Sequence, residues 1–287
     1  MGNIFEETKS IMKKYGIRAN KSLGQNFLVN SEVVENIVNS SEISKEDMVI
    51  EIGPGLGTLT KYLIEKAGKV LCIELDTRMI EILEDRFAEN ANFEVINQDV
   101  LKVDLNKIIN ENKENGNIKH VKIVANLPYY ITTPIIMKLL EEKLDIQSIT
   151  VMIQKEVADR LIEIPGGKNT GAITYSVYYY CESQKIMEVP NSSFIPEPEV
   201  TSEVIKMNLR NKPAVELENP KVMFMIIKSA FMQRRKTLLY ALTNTKVFLN
   251  KEEGLQILKK LNLDENVRAE SLTIHDFASI AQAICKK

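Results

Sequence analysis

The chain has no tryptophan, only two histidines and only three cysteines in 287 residues. These scarcities exclude several chemistries. His120 and His275 fall in no metal-ligand spacing and beside no nucleophile, so no metal site and no Ser/His or Cys/His system is expected. Cys72, Cys181 and Cys285 are widely separated in apolar patterns, which fits reduced thiols and a cytoplasmic home. No apolar run reaches the roughly 18 residues that span a bilayer. Residues 1–15 lack the apolar core of a signal peptide, so no membrane partner is expected either.

What is present describes a soluble globular protein. Hydrophobic residues make up 44% and charged residues 26%, in a length that suits one large or two ordinary domains. The net charge of −2 and a pI near 5.9 argue mildly against a nucleic-acid partner. The charges are unevenly placed, however. Residues 8–31 hold Lys9, Lys13, Lys14, Arg18 and Lys21 and no acid. Residues 219–251 hold Lys221, Lys228, Arg234, Arg235, Lys236, Lys246 and Lys251, again with no acid. A charge run is usually a solvated face, but two one-sign stretches in an acidic chain carry more weight.

Periodicity predicts a repeating strand–turn–helix order. Residues 48–52, 70–73, 93–96, 121–125 and 149–153 are short apolar runs of the kind buried on both faces of a sheet. Helical spacing covers residues 6–15, 31–38, 58–67, 77–89, 134–142 and 155–161. This order implies an α/β fold with a doubly wound, mostly parallel, Rossmann-like sheet. Residues 174–180 and 204–209 read as further strands around the proline-rich loop 191–198. Beyond Pro213 only helices are expected, over 221–243, 255–261 and 273–283. We therefore expect a catalytic domain over 1–210, with a ligand-contacting segment at 1–30, and a helical domain over 211–287.

The strand ends carry the chemistry, where open α/β sheets place ligands. The first ends in Gly53-Pro54-Gly55-Leu56-Gly57, whose glycines let backbone approach a ligand. Their spacing departs from the dinucleotide fingerprint, Pro54 removes an N–H donor, and Glu51 brings a carboxylate. A pyrophosphate fits poorly there, whereas a ligand with an ammonium and a sulfonium, such as S-adenosylmethionine, gains from that carboxylate. Glu74 ends the second strand about 20 residues on, where an acid accepts ribose hydroxyl protons. Asp99 ends the third and can accept from an adenine amine, or cap the short segment after it. The fourth ends in Asn126-Leu127-Pro128-Tyr129. That turn offers a carboxamide oxygen, a backbone carbonyl and an aromatic face, which suit an exocyclic amine on a flat base.

Gln25-Asn26-Phe27-Leu28, the glycine loop, Glu74-Leu75-Asp76, Gln98-Asp99 and Asn126-Leu127-Pro128-Tyr129 together resemble the ribosomal RNA adenine N6-methyltransferases. Phe194 to Ser202, the run from Phe231 to Leu238 and Arg268-Ala269-Glu270 narrow the resemblance to the bacterial branch that dimethylates two adjacent adenines of small-subunit (16S) rRNA. It covers residues 21–283, with Glu203 standing where that family often has alanine, a peripheral change. The resemblance implies that Asn26, Leu28, Gly53, Glu74, Asp99 and Asn126 contact S-adenosylmethionine. It also implies that Phe194 joins Tyr129 in stacking the target base, and that the partner is small-subunit rRNA in an immature subunit, met by a monomer.

The chemistry follows from the turn. The adenine N6 lone pair is delocalised, so accepting its N–H bonds on the Asn126 oxygen and the Leu127 carbonyl favours a pyramidal nitrogen aimed at the methyl. Alignment of this kind can supply several kcal/mol, up to roughly 7–11, and the base must leave its stack. Lys13, Lys14, Lys21, Lys228, Arg234, Arg235 and Lys236 are the candidate phosphate contacts. On the helix expected there, 228, 231, 235, 238 and 239 share one face that is part core, with Arg235 free to brace the domain junction, so Arg234 and Lys236 are the better phosphate candidates. Three alternatives share parts of the pattern: an antibiotic-resistance methyltransferase of large-subunit rRNA, a DNA adenine methyltransferase, and a non-catalytic ribosome-assembly factor.

Overall fold

The computed structural model describes residues 3–20, 23–114 and 117–285. Lys21 and Ser22 lie outside the described residues. The chain opens with α1 (Ile4–Lys14), a two-residue strand β1 (Phe27–Leu28) and α2 (Ser31–Ser40). Then β2 (Asp47–Ile52), α3 (Thr58–Lys66), β3 (Lys69–Glu74), α4 (Thr77–Phe87), β4 (Phe93–Asn97) and α5 (Leu105–Glu114) alternate. They are followed by β5 (His120–Asn126), α6 (Thr132–Glu141), β6 (Ser148–Gln154) and α7 (Lys155–Leu161). Next come α8 (Ala172–Tyr180), β7 (Cys181–Val189), β8 (Phe194–Ile195) and β9 (Ser202–Leu209). The last four helices are α9 (Pro220–Phe231), α10 (Leu238–Asn244), α11 (Lys251–Lys260) and α12 (Ile274–Cys285).

Seven strands form one sheet in the order β4-β3-β2-β5-β6-β9-β7. The pairs β2/β3, β3/β4, β2/β5 and β5/β6 are parallel, and β9 pairs antiparallel with β6. The central strands are legible because both their faces are covered: every residue of β2 is buried. Strand order turns back beside β2, with β3 on one side and β5 on the other, which opens a crevice at their carboxyl ends. A separate antiparallel pair joins β1 to β8, with Phe27 opposite Ile195 and Leu28 opposite Phe194.

Contacts divide the chain into two compact units, Met1–Ala158 with Gln184–Leu209 and Asp159–Ser183 with Arg210–Lys287. The division differs from the expected one in giving residues 159–183 to the helical unit. Tyr175 is the physical reason. Its ring packs edge-on to Phe277 at 5.0 Å and against Phe231 at 5.7 Å, and its hydroxyl donates to the carbonyls of Ala269 and Leu272.

Three expectations need correction. Residues 174–180 form helix α8, not a strand; aromatic and β-branched residues mimic a strand when a helix is buried around much of its circumference. The helix expected over 221–243 is broken between Phe231 and Leu238, where Thr237 caps α10 by accepting from the Tyr240 N–H. The shared face proposed for 228, 231, 235, 238 and 239 therefore does not exist. Glu203 is not peripheral. It is fully buried on β9, ion-paired with Lys185 at 2.6 Å and Lys155 at 3.3 Å.

Candidate active site

The crevice beside β2 is a cleft within the first unit. Its wall is built from the ends of β2, β3 and β5, the loop after β4, and the segment around β1. The glycine loop turns immediately after β2, with Gly53 at φ +67°, Gly55 at +56° and Gly57 at +78°. At Gly57 a side chain is excluded twice over. The left-handed backbone disfavours it, and a Cβ would lie 2.6 Å from the Phe87 ring.

Glu74 closes β3 and is 8% exposed. One carboxylate oxygen accepts the Leu75 and Asp76 N–H groups at 2.8 and 2.9 Å, and the other accepts the Gly55 N–H at 3.1 Å. The acid thus locks the glycine loop to the end of β3. Burial outweighs those three bonds and holds its pKa above the usual carboxylate range. Glu51 lies on the cleft floor, 1% exposed, accepting from the Thr60 hydroxyl at 2.6 Å. Burial, partly offset by Thr60 and Cys72, pushes it up to about 7. The same burial, with Glu51 beside it, raises the Cys72 thiol.

Asp99 reaches the cleft half-buried and also accepts the Leu101 N–H at 3.0 Å, so it caps the short turn as well as lining the wall. Asn126 does not cap the helix that follows. Its Nδ2 donates to the Asn26 carbonyl at 3.3 Å, which leaves the amide oxygen as its acceptor end. Leu127 is anchored through its N–H to the Met152 carbonyl at 3.1 Å. Tyr129 is half-buried, with its hydroxyl 2.7 Å from Ser202 Oγ, while Tyr130 is 58% exposed.

The structure brings Asn26, Leu28, Gly53, Glu74, Asp99, Asn126, Leu127 and Tyr129 to one cleft. It does not bring Phe194 there. That ring is 2% exposed and packs in the core under α2 and α3, opposite Leu28 in the β1/β8 pair. Sequence reasoning assigned no role to Gln25 or Ser202. Gln25 donates to Asp76 at 2.9 Å and fastens the β1 segment beside Glu74. Both residues sat inside motifs already singled out, but a hydrogen bond between segments remote in sequence has no local signature.

The basic candidates divide between the units. Lys14 is held by Asp85 and the Tyr15 hydroxyl in the first. In the second, Arg234 pairs with Glu270 at 2.9 Å, Arg235 is exposed, and Lys236 lies over the Tyr240 ring at 5.5 Å. Among the described residues no group of three or more His, Cys, Asp and Glu could hold a metal, and no helix is long and apolar enough to cross a membrane.

Residues 16–286 match the family model described as ribosomal RNA adenine dimethylase. A ribosomal RNA small subunit methyltransferase A from Alkaliphilus metalliredigens is 48% identical over 98% of this chain and 97% of its own length. The protein of that name from Clostridioides difficile is 45% identical over 98% and 96%. Among solved structures, a dimethyladenosine transferase from Plasmodium falciparum superposes with a TM-score of 0.74 at 27% identity, covering 91% of this chain and 98% of its own. A 23S rRNA methyltransferase gives a TM-score of 0.68 at 21% identity, over 91% and 100%, which is a likeness of fold.

Proposed function

The chain belongs to the ribosomal RNA adenine dimethylase family and is a methyltransferase, and from that premise we propose its substrate and the work of each site residue. It transfers methyl groups to the N6 amines of two adjacent adenines in small-subunit (16S) rRNA, giving N6,N6-dimethyladenosine, in the cytoplasm during small-subunit assembly. The observation that carries this is the joining of Glu74, Asp99 and the turn at residues 126–129 in one cleft at successive strand ends.

The cleft suits S-adenosylmethionine by its donors and acceptors. Glu74 is a buried carboxylate fixed by three backbone N–H groups, with one acceptor site left on the Gly55-bound oxygen for a ribose hydroxyl. Asp99 stands where an adenine amine can donate, and Asn26, Leu28 and Gly53 complete the wall. When bound, the cofactor supplies an electrophilic methyl on a sulfonium. Glu51 on the floor gives such a cation a carboxylate that can ionise near neutral pH.

The target adenine enters unstacked and lies against Tyr129. Asn126 accepts one N6 hydrogen on its amide oxygen, an orientation favoured because its Nδ2 donates one hydrogen to the Asn26 carbonyl. The Leu127 carbonyl accepts the other. Neither group removes a proton before transfer; they orient the lone pair and stabilise the positive charge that develops on nitrogen, which sheds one proton to water after each methyl is transferred. Phe194, buried as it is, supports the β1/β8 pair beneath the site, and it stacks the base only after turning out of the core. Phosphate contacts fall to Arg235 and Lys236, because Arg234 is engaged by Glu270.

The test is a competition. Immature small subunits and large subunits are offered together with methyl-labelled S-adenosylmethionine. Label entering small-subunit RNA supports the proposal, and label entering large-subunit RNA alone overturns it.

A further inference from the structure

Tyr129 stands in a short turn directly after Pro128, at a place where the chain leaves β5 and has no ladder to stiffen it. A stacking face must nonetheless be held at a fixed angle. The backbone fixes the near end of the ring; the far end is the phenol oxygen, 2.7 Å from Ser202 Oγ. Ser202 is 0% exposed and begins β9, where it pairs with Gln154 across the antiparallel ladder. The Lys155 N–H donates to the Thr201 carbonyl at 3.0 Å. The next residue, Glu203, is held by Lys155 and Lys185. Ser202 is thus buried and held within the sheet. It is not among the residues that line the cleft.

We infer that Ser202 is a positioning residue for methyl transfer, whose hydroxyl fixes the far end of the Tyr129 ring and so sets the face on which the target adenine stacks. The inference rests on the reading that Tyr129 receives the base. Ser202 touches neither base nor cofactor and acts only through that ring. Burial keeps the Tyr129 phenol neutral, so the link is one hydrogen bond between two hydroxyls, and either can donate. Neighbouring Tyr130, 58% exposed, provides a contrast: a ring so open to solvent cannot be set at a defined angle by burial.

The test is a double-mutant cycle with the full-length enzyme and immature small subunits, using Ser202→Ala, Tyr129→Phe and the pair, with Tyr129→Ala alongside. Each single variant should lower kcat by about 2- to 12-fold, the kinetic equivalent of one neutral hydrogen bond. KM for RNA and cofactor Kd should hold within about twofold, because phosphate contacts dominate RNA affinity. The pair should lose no more than either single variant, since both remove the same bond. Wild-type kcat in the singles, losses that multiply in the pair, or a loss that follows KM or cofactor Kd overturns the inference. If Ser202→Ala does not fold, Tyr129→Phe removes the bond from the other side and its kcat decides. A dead Tyr129→Ala with intact Tyr129→Phe and Ser202→Ala refutes the positioning role alone. Full turnover in Tyr129→Ala refutes the reading of Tyr129 as the stacking ring.

Discussion

Replacing Glu74 by glutamine tests the cofactor half of the site with the least change of shape. The carboxylate serves three backbone donors, two on one oxygen and one on the other. An amide has a single acceptor oxygen. If that oxygen keeps Leu75 and Asp76, the NH2 group meets the Gly55 N–H, donor against donor, and the glycine loop loses its tie. Two losses follow. Stability should fall by about 1–3 kcal/mol for the unmet buried donor. Ribose binding should lose a hydrogen bond to a charged group, about 1.5–3 kcal/mol, so Kd for S-adenosylmethionine should rise about 13- to 160-fold. In the wild type, affinity should also fall as pH drops through the raised pKa of Glu74, because a protonated carboxyl gives up acceptor sites. The variant should lack that dependence. Calorimetry on protein shown to be folded by its melting transition is the assay. A Kd within about twofold of wild type would refute the assignment.

Phe194→Ala should cost about 3–5 kcal/mol of stability, as truncating a buried aromatic does; an unchanged melting temperature would show that the ring spends its time out of the core. Glu51→Gln should change the pH profile of stability. The folded pKa of Glu51 is raised, so its contribution is full below about 4.5 and is lost as pH rises through about 7. Wild type should therefore lose melting temperature relative to Glu51→Gln across that range, and parallel curves would contradict the burial argument. Reversing Arg235 and Lys236 to glutamate should flatten the salt dependence of small-subunit RNA binding, by roughly 0.7–0.9 in slope per lost phosphate contact. Cofactor affinity should be unaffected, and an identical slope would exclude both residues.

The sheet and most of the cleft could be read from sequence because each rests on local pattern. Strands β2, β3, β5 and β6 are apolar runs that end at polar or glycine punctuation, and the site residues fall at that punctuation. What escaped had either a misleading pattern or none. Strand β7 is largely polar, Cys181 to Val189, because an edge strand has less to bury. Helix α5 buries only Leu105 and Ile109 and offers a thin apolar stripe. The break after α9 contains neither proline nor glycine, and its one local sign is Thr237 as the next N-cap. Phe194 looked like a site residue through its motif, while its burial depends on pairing with Leu28 across more than a hundred residues. The Asn126–Asn26 and Tyr129–Ser202 contacts likewise join segments that only the folded chain brings together.

The chemical outcome is the most direct measurement. Immature small subunits are incubated with methyl-labelled S-adenosylmethionine and either wild-type enzyme or Asn126→Ala, and the RNA is digested to nucleosides and mapped. We expect wild type to place the label in N6,N6-dimethyladenosine at two adjacent adenines, and Asn126→Ala to place almost none there while still binding cofactor. Label on ribose, on a ring carbon or on another base, or full dimethylation by Asn126→Ala, would contradict the assignment of the turn at residues 126–129 as the acceptor of the adenine amine.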